Sequence, residues 1–236
     1  MSVRIQNDIN KDNDNYYTPL YLTDWAVNYS VEIVGGGPGI QLLEPGCGEF
    51  YPFARSAAKL GITAYAFDNQ VDFSDETLTD HISLYSEVSF LDDGISDIGL
   101  DREFDIIATN PPFSKAEEFI WKGLDILDPR GVMILLLKLP FLASKRRRTL
   151  FSERPPKEVH VIQRRPSFVM EGSKKGKTDV TEYGFYIWLG EAQDGYFKKY
   201  GGRNTILRWL DNTQLEGYSV GQGPNKTDKR SKEVDK

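Results

Sequence analysis

Ile40-Gln41-Leu42-Leu43-Glu44-Pro45-Gly46-Cys47-Gly48 is the stretch that decides the fold. Ile40 to Glu44 reads as a buried strand. Pro45-Gly46-Cys47-Gly48 reads as a tight turn after it, because glycine supplies backbone angles that other residues resist. A helix follows over about Phe50 to Leu60, with Gly61 as its stop. Ile62 to Phe67 is a second strand, and Asp68 ends it. Strand, glycine turn, helix, strand and terminal acid make a βαβ unit, and a right-handed crossover lays its two strands parallel in one sheet. The turn departs from the dinucleotide fingerprint, which wants a third glycine where Tyr51 stands. It still lets a backbone approach an adenosine-bearing ligand closely, with Asp68 placed to accept from ribose hydroxyls. A plain strand-to-helix turn would look the same.

Upstream, Gly35-Gly36-Gly37-Pro38-Gly39 is a loop, and Leu20 to Val34 carries Trp25, Ala26, Tyr29 and Ile33 at helical spacing. Thr23 and Asp24 are candidate caps for that helix. Tyr16-Tyr17-Thr18-Pro19 makes a turn before it, and residues 1–15, rich in Asn and Asp, form a flexible N-terminus. Downstream, a further helix is expected within Asp72–Tyr85 and a short third strand at Val88–Leu91. Phe104 to Thr109 supplies the fourth strand. Lys115 to Leu127 has helical spacing, with Ser114 as N-cap and Glu117 completing a capping box. Gly131 to Leu137 is too apolar to face water on either side, which places it centrally in the sheet. Glu158–Gln163 and Tyr183–Leu189 are two more strands. Glu191–Tyr218 reads as a short appendage, and residues 219–236 as a disordered polar tail. The whole is a single domain over residues 16–218.

The fourth strand runs into Asn110-Pro111-Pro112-Phe113. Two prolines fix φ and lack N–H groups, so neither helix nor ladder continues. The chain leaves the sheet in an extended turn at the strand's carboxyl end, where open α/β sheets bind ligands. Asn110 offers an acceptor oxygen and two donors, and Phe113 a flat apolar face. An acceptor beside a stacking ring suits a planar group bearing an NH2. Asn-Pro-Pro is also ordinary turn chemistry.

With 236 residues, 39% hydrophobic and 27% charged, the chain can bury a full core as a soluble globular protein. No apolar run reaches the ~20 residues that span a bilayer, and Met1–Asn15 lacks the apolar core of a signal peptide. One cysteine and two distant histidines argue against disulfides and against a metal site, and make a reducing cytoplasm the default compartment. The net charge of −6 hides an asymmetry. Between Lys138 and Lys177 lie twelve Lys/Arg against three Asp/Glu, while the rest of the chain carries seventeen against thirty-two. A basic belt on an acidic body suits a polyanion held at one face. A solvated surface run would have the same composition.

Tyr17-Thr18-Pro19, Leu43-Glu44-Pro45-Gly46-Cys47-Gly48, Asp68 and Asn110-Pro111-Pro112-Phe113, in that order, resemble the S-adenosylmethionine (SAM)-dependent amino-methyltransferases, above all the DNA adenine-N6 enzymes. The motif order is similar to their γ arrangement, and the region from Arg164 to Tyr183 resembles small bacterial and phage-type members. The resemblance spans about Tyr16 to Leu189. It implies a Rossmann-like SAM methyltransferase fold, a mostly parallel seven-stranded sheet with an antiparallel last strand and helices on both faces. It implies SAM as cofactor, held by Tyr17, Thr18, Glu44, Pro45, Gly46, Gly48, Asp68, Phe90 and Asn110, with Thr18 meeting the carboxylate of the methionine portion and Asp68 the ribose. Many relatives carry an acid for the cofactor's adenine before the Phe90-Leu91 pair. Here Ser89 stands there, with Asp92 in the following turn as substitute. Asn110, Pro111, Pro112 and Phe113 are the expected catalytic residues, and the flat base has to be flipped out to reach them. Lys138, Lys145, Arg146, Arg147, Arg148, Arg164, Arg165, Lys174, Lys175 and Lys177 are the expected phosphate contacts, emerging near the same sheet edge as Asn110. DNA is the favoured nucleic acid. RNA adenine methylation and a non-catalytic nucleic-acid-binding module are the alternatives.

Overall fold

The computed structural model describes residues 16–74, 80–92, 94–100, 102–163, 165–170, 177–178, 181–192 and 204–218. Its central strand, β6 (Leu127–Lys138), divides two cores by simple alternation. Val132, Ile134 and Leu136 face one core, and Met133, Leu135 and Leu137 the other. A strand with no polar face has to be covered on both sides. α1 (Leu20–Val34) and α2 (Pro52–Ala58) cover the first side, where Leu22, Trp25, Phe53 and Ala57 are buried. α4 (Ala116–Asp125) and α5 (Arg148–Glu153) cover the second with Phe119, Ile120 and Leu150, beside the single turn α3 (Gly94–Asp97).

The main sheet also contains β2 (Gln41–Pro45), β3 (Thr63–Phe67), β4 (Ile82–Tyr85), β5 (Phe104–Thr109), β7 (Glu158–Ile162), β10 (Tyr183–Leu189) and β11 (Ile206–Leu210). Their order is β11-β7-β10-β6-β5-β2-β3-β4. Only β10 runs against its neighbours, β6 and β7. The fold is thus the expected α/β one with helices on both faces, and the antiparallel strand is the last of the expected seven. The sheet has eight strands rather than seven. β11 joins parallel to β7 from the segment expected to be an appendage, and Leu215 of α6 (Asn212–Glu216) packs into the first core. A second, small sheet joins β1 (Tyr16–Tyr17), β8 (Ser167–Met170) and β9 (Lys177–Thr178) in the order β1-β8-β9.

Several local expectations need correction. α1 starts at Leu20 with Pro19 at its N-cap, so Thr23 and Asp24 lie inside it. Thr23 is buried against the Ser56 hydroxyl at 2.8 Å, and Asp24 pairs with Lys59 at 2.8 Å. Ser114 caps nothing: a 3-10 turn over Phe113–Lys115 precedes α4, because the extended Pro112 leaves too little chain for a full helical turn. The strand expected at Val88–Leu91 is β4 instead, which pairs with β3, while Val88 and Phe90 pack into the second core from irregular chain. Of Asp72–Tyr85, where the sequence predicts a helix, residues 75–79 lie outside the described residues and Ile82–Tyr85 is β4; 1–15 and 219–236 also lie outside.

Candidate active site

β5 ends where the Thr109 hydroxyl donates to the Pro45 carbonyl at 2.7 Å, locking the carboxyl ends of β5 and β2 together. The next residue, Asn110, therefore emerges beside the glycine turn. Pro111 is buried and Pro112 extended, and the Lys115 N–H donates to the Pro112 carbonyl at 2.8 Å. The prolines hold the corner without a ladder bond, as their chemistry requires. Asn110 Nδ2 donates to Thr18 Oγ1 at 3.2 Å. Asn110 Oδ1 is buried and has no hydrogen-bond partner among the described residues. Unpaired buried acceptors are rare in native structures and demand a reason. Two other buried side-chain atoms share that state, Glu118 Oε2 and Arg147 Nε.

Phe113 is half-buried next to Asn110. The Tyr183 ring lies 5.9 Å from it, centroid to centroid, and Phe168 lies 4.8 Å from Tyr183. Lys138 Nζ sits 4.4 Å from the centre of the Phe113 ring, a cation–π contact. Tyr183 and Phe168 were missed as site residues. Their place depends on the pairing of Tyr183 opposite Lys138 across β10 and β6, which no local spacing reveals.

The glycine turn faces this corner. Gly46 has φ +64°, and a Cβ there would lie 3.4 Å from the Phe119 ring, so the position needs both the left-handed backbone and the missing side chain. Gly48, at φ +60°, opens onto free space. Its N–H donates to Asp68 Oδ2 at 3.0 Å, and the Gln70 N–H to Oδ1 at 2.8 Å. Asp68 thus borders the turn from the end of β3. Glu44 is 1% exposed, and Ala54 N–H of α2 donates to it at 2.7 Å. Burial pushes its carboxyl well above the usual range, against the pull of the Ala54 and Phe53 N–H groups. Glu44 therefore shapes the turn by anchoring α2. Burial likewise pushes the Cys47 thiol up, which keeps it protonated and inert. Tyr51, where the absent third glycine would be, adopts φ +33° and meets Phe73 edge-on at 6.0 Å. Phe90 is buried between Phe67 and Phe119, and Asp92 offers its backbone carbonyl to Lys122 Nζ.

The belt divides. Lys145, Arg146 and Arg148 are exposed at the carboxyl edge of the sheet, with Arg146 4.0 Å from Glu117. Arg147 is half-buried, its guanidinium 3.9 Å from the centre of the Phe141 ring. Arg165 pairs with Glu182 at 2.6 Å. Lys177 is in β9. Arg164, Lys174 and Lys175 lie outside the described residues, and Tyr17 lies in β1.

No family model and no curated protein matches the chain. Solved structures do. A type I restriction-modification system methyltransferase subunit from Streptococcus thermophilus superposes with a TM-score of 0.60 at 12% identity, over 89% of this chain and 54% of that one. The chain has a methyltransferase fold. A protein of Listeria monocytogenes described as a class I SAM-dependent methyltransferase gives a TM-score of 0.56 at 11% identity, over 82% and 65%. One from Agrobacterium tumefaciens described as a predicted O-methyltransferase gives 0.51 at 15%, over 81% and 85%. The chain spans about half the length of the first of these. At such identities the methyltransferase fold is common ground, and the chemistry of each site is its own.

Proposed function

We propose that this chain transfers a methyl group from SAM to an exocyclic amine, N6 of adenine in DNA. The observation that carries the reading is Asn110 Oδ1: a buried acceptor without a partner, next to a flat aromatic face, at the carboxyl edge of a methyltransferase-type sheet. The residues fit the cofactor. Gly48 leaves open space beside the Asp68 carboxylate, and Thr18 stands between the N-terminal strand and Asn110. Gly46, Gly48, Asp68 and Thr18 would hold SAM, which supplies an electrophilic methyl on a cationic sulfonium. Phe90 packs on the Phe119 ring, which lies against Gly46.

An adenine amine is a poor nucleophile because its lone pair is delocalised into the ring. An acceptor on its N–H bonds favours localising that pair on nitrogen. Asn110 Oδ1 does this, together with the Pro111 carbonyl, and the prolines keep both in place before the substrate arrives. Phe113 stacks on the base, a contact worth ~1–3 kcal/mol. Lys138, already at the Phe113 ring, adds positive charge where the nucleic acid backbone enters. The exposed Lys145, Arg146 and Arg148 extend that field along the same edge, which supports a polyanionic substrate.

The test is transfer of tritiated methyl from SAM onto duplex DNA, RNA and protein, run with wild type and Asn110→Ala. Label on adenine N6 of DNA is the expected result, lost in the variant while calorimetry still shows SAM binding. Label on RNA alone would move the substrate to RNA adenine. An absence of SAM binding would leave a nucleic-acid-binding module with this fold.

A further inference from the structure

We infer that Thr18 is a positioning residue: its hydroxyl selects which end of the Asn110 amide faces the target amine, and the bound cofactor's carboxylate makes that selection one-way. The inference rests on the methyltransferase reading above and goes beyond it.

An asparagine amide presents an oxygen at one end and an NH2 at the other, nearly identical in shape. Only the oxygen end can accept from an amine. Nothing in Asn110-Pro111-Pro112 itself chooses between the two, since the prolines fix backbone and leave the amide torsion broad. In the structure the amide has one orientation, with Asn110 Nδ2 donating to Thr18 Oγ1 at 3.2 Å and Oδ1 turned away as the unpaired acceptor.

A hydroxyl both donates and accepts. By itself Thr18 could hold either amide orientation, accepting from Nδ2 or donating to Oδ1. The decision depends on where its proton goes. Among the described residues no acceptor receives the Thr18 proton. A carboxylate that accepts a hydrogen bond from this hydroxyl would remove the second orientation, leaving Oγ1 to accept from Nδ2. The carboxylate of the methionine portion of SAM would be such an anion if the cofactor is held at Thr18. Thr18 would then keep the Asn110 oxygen turned toward the amine whenever cofactor is bound.

Thr18 is built for this by its flanks. Tyr16 and Tyr17 pair with Met170 and Val169 of β8, and the Pro19 carbonyl accepts from Leu22 N–H at 3.0 Å at the start of α1. Held on both sides and only 5% exposed, Thr18 has a fixed position for its hydroxyl. A residue whose sole role was to touch a cofactor would not need to meet Asn110.

The experiment uses the full chain with asparagine side chains labelled with nitrogen-15, the Asn110 signal being assigned by its loss in Asn110→Ala. S-adenosylhomocysteine, which keeps the carboxylate, is expected to shift the Asn110 NH2 resonances in wild type and in Thr18→Ser. 5′-Methylthioadenosine, which lacks the carboxylate, leaves them in place, and Thr18→Val shows no shift with either compound. In kinetics at saturating SAM, Thr18→Val loses about 10- to 100-fold in kcat, and Thr18→Ser recovers most of that rate. A Thr18→Val enzyme with wild-type kcat and only a raised KM for SAM would overturn the inference, as would wild type showing no Asn110 shift with S-adenosylhomocysteine bound. The resonance readout needs no turnover: a shift without methyl transfer to any substrate would sink the proposed function and keep the relay.

Discussion

Two polar acceptors at opposite edges of the same sheet are treated in opposite ways. At the amino edge, the Glu158 carboxylate that begins β7 accepts the Tyr29 hydroxyl at 2.7 Å and the Arg208 guanidinium at 3.0 and 3.1 Å, with His160 Nε2 at 2.7 Å. At the carboxyl edge, Asn110 Oδ1 receives nothing from the described residues. Trp25 stacks on Tyr29 at 5.1 Å and lies 5.1 Å from His160, so aromatic rings cover the inner side of the Glu158 cluster while Arg208 covers the outer. The cluster's donors come from α1, β7 and β11, so it ties the eighth strand to α1 in addition to the β11–β7 ladder and the burial of Leu210. A fully satisfied network rigidifies, whereas an acceptor left open costs stability and is kept where a ligand completes it. The difference separates a structural joint at Glu158 from the proposed workplace at Asn110.

Breaking the workplace gives the largest effect. Asn110→Ala should cut methyl transfer by about 10²–10³-fold, the scale of losing one preorganised polar group, with SAM affinity by calorimetry changed only slightly. Breaking the joint reverses the pattern. Glu158→Ala should cost on the order of 2 kcal/mol in urea unfolding, below the ~3–5 typical of a fully buried pair because Arg208 is half exposed, and should leave the transfer rate at 25 °C unaltered.

Acid sharpens the same contrast. Burial raises the Glu158 carboxyl, but donation from Arg208, Tyr29 and His160 outweighs it and holds the group down at about 2. A depressed carboxyl stabilises the fold above its unfolded value of about 4.3, and that stability is lost as pH falls from there toward 2. Burial also depresses His160, against the pull of Glu158, so the unfolded chain takes up that proton first and stability declines below pH about 6.5. The urea midpoint of wild type should therefore fall on acidification, and Glu158→Gln should flatten the limb below pH about 4.5. A limb of unchanged slope in that variant would remove Glu158 from the account. The smallest effect is expected in the belt. Lys145→Ala and Arg148→Ala, both exposed, should each reduce the salt slope of DNA binding by about 1, as loss of one phosphate contact does. Arg147→Ala should instead lower stability, since its guanidinium packs on Phe141.

Much of this was legible locally. Leu20–Val34 reads as a helix and is one, because apolar spacing and the glycines after Val34 act within a few residues. The βαβ unit and the corner at Asn110 follow for the same reason, since prolines and glycines restrict their own backbone. Boundaries failed where packing outweighs propensity. Ile82–Tyr85 became a strand because β3 offers it an edge, and Ser114 lost its cap because Pro112 delays the helix. At the proposed site, the residues of the glycine turn and the proline corner were readable. The contacts that Glu44 and Phe90 make within the fold were not: Ala54 N–H of α2 donates to Glu44, and Phe90 packs between Phe67 and Phe119.

By itself the sequence determined the order of strand, turn and helix, the βαβ unit, the proline-locked corner and the uneven charge, since each follows from neighbours in the chain. The tertiary structure alone decided the eighth strand, the four-residue cluster at Glu158, the Lys138–Phe113–Tyr183 grouping and the contact of Thr18 with Asn110. Apart from His160, two positions from Glu158, these join residues from 25 to 179 positions apart. Local propensity sets what each segment becomes, but which side chains share a hydrogen bond depends on sheet order and register, and those are settled only when the whole core closes.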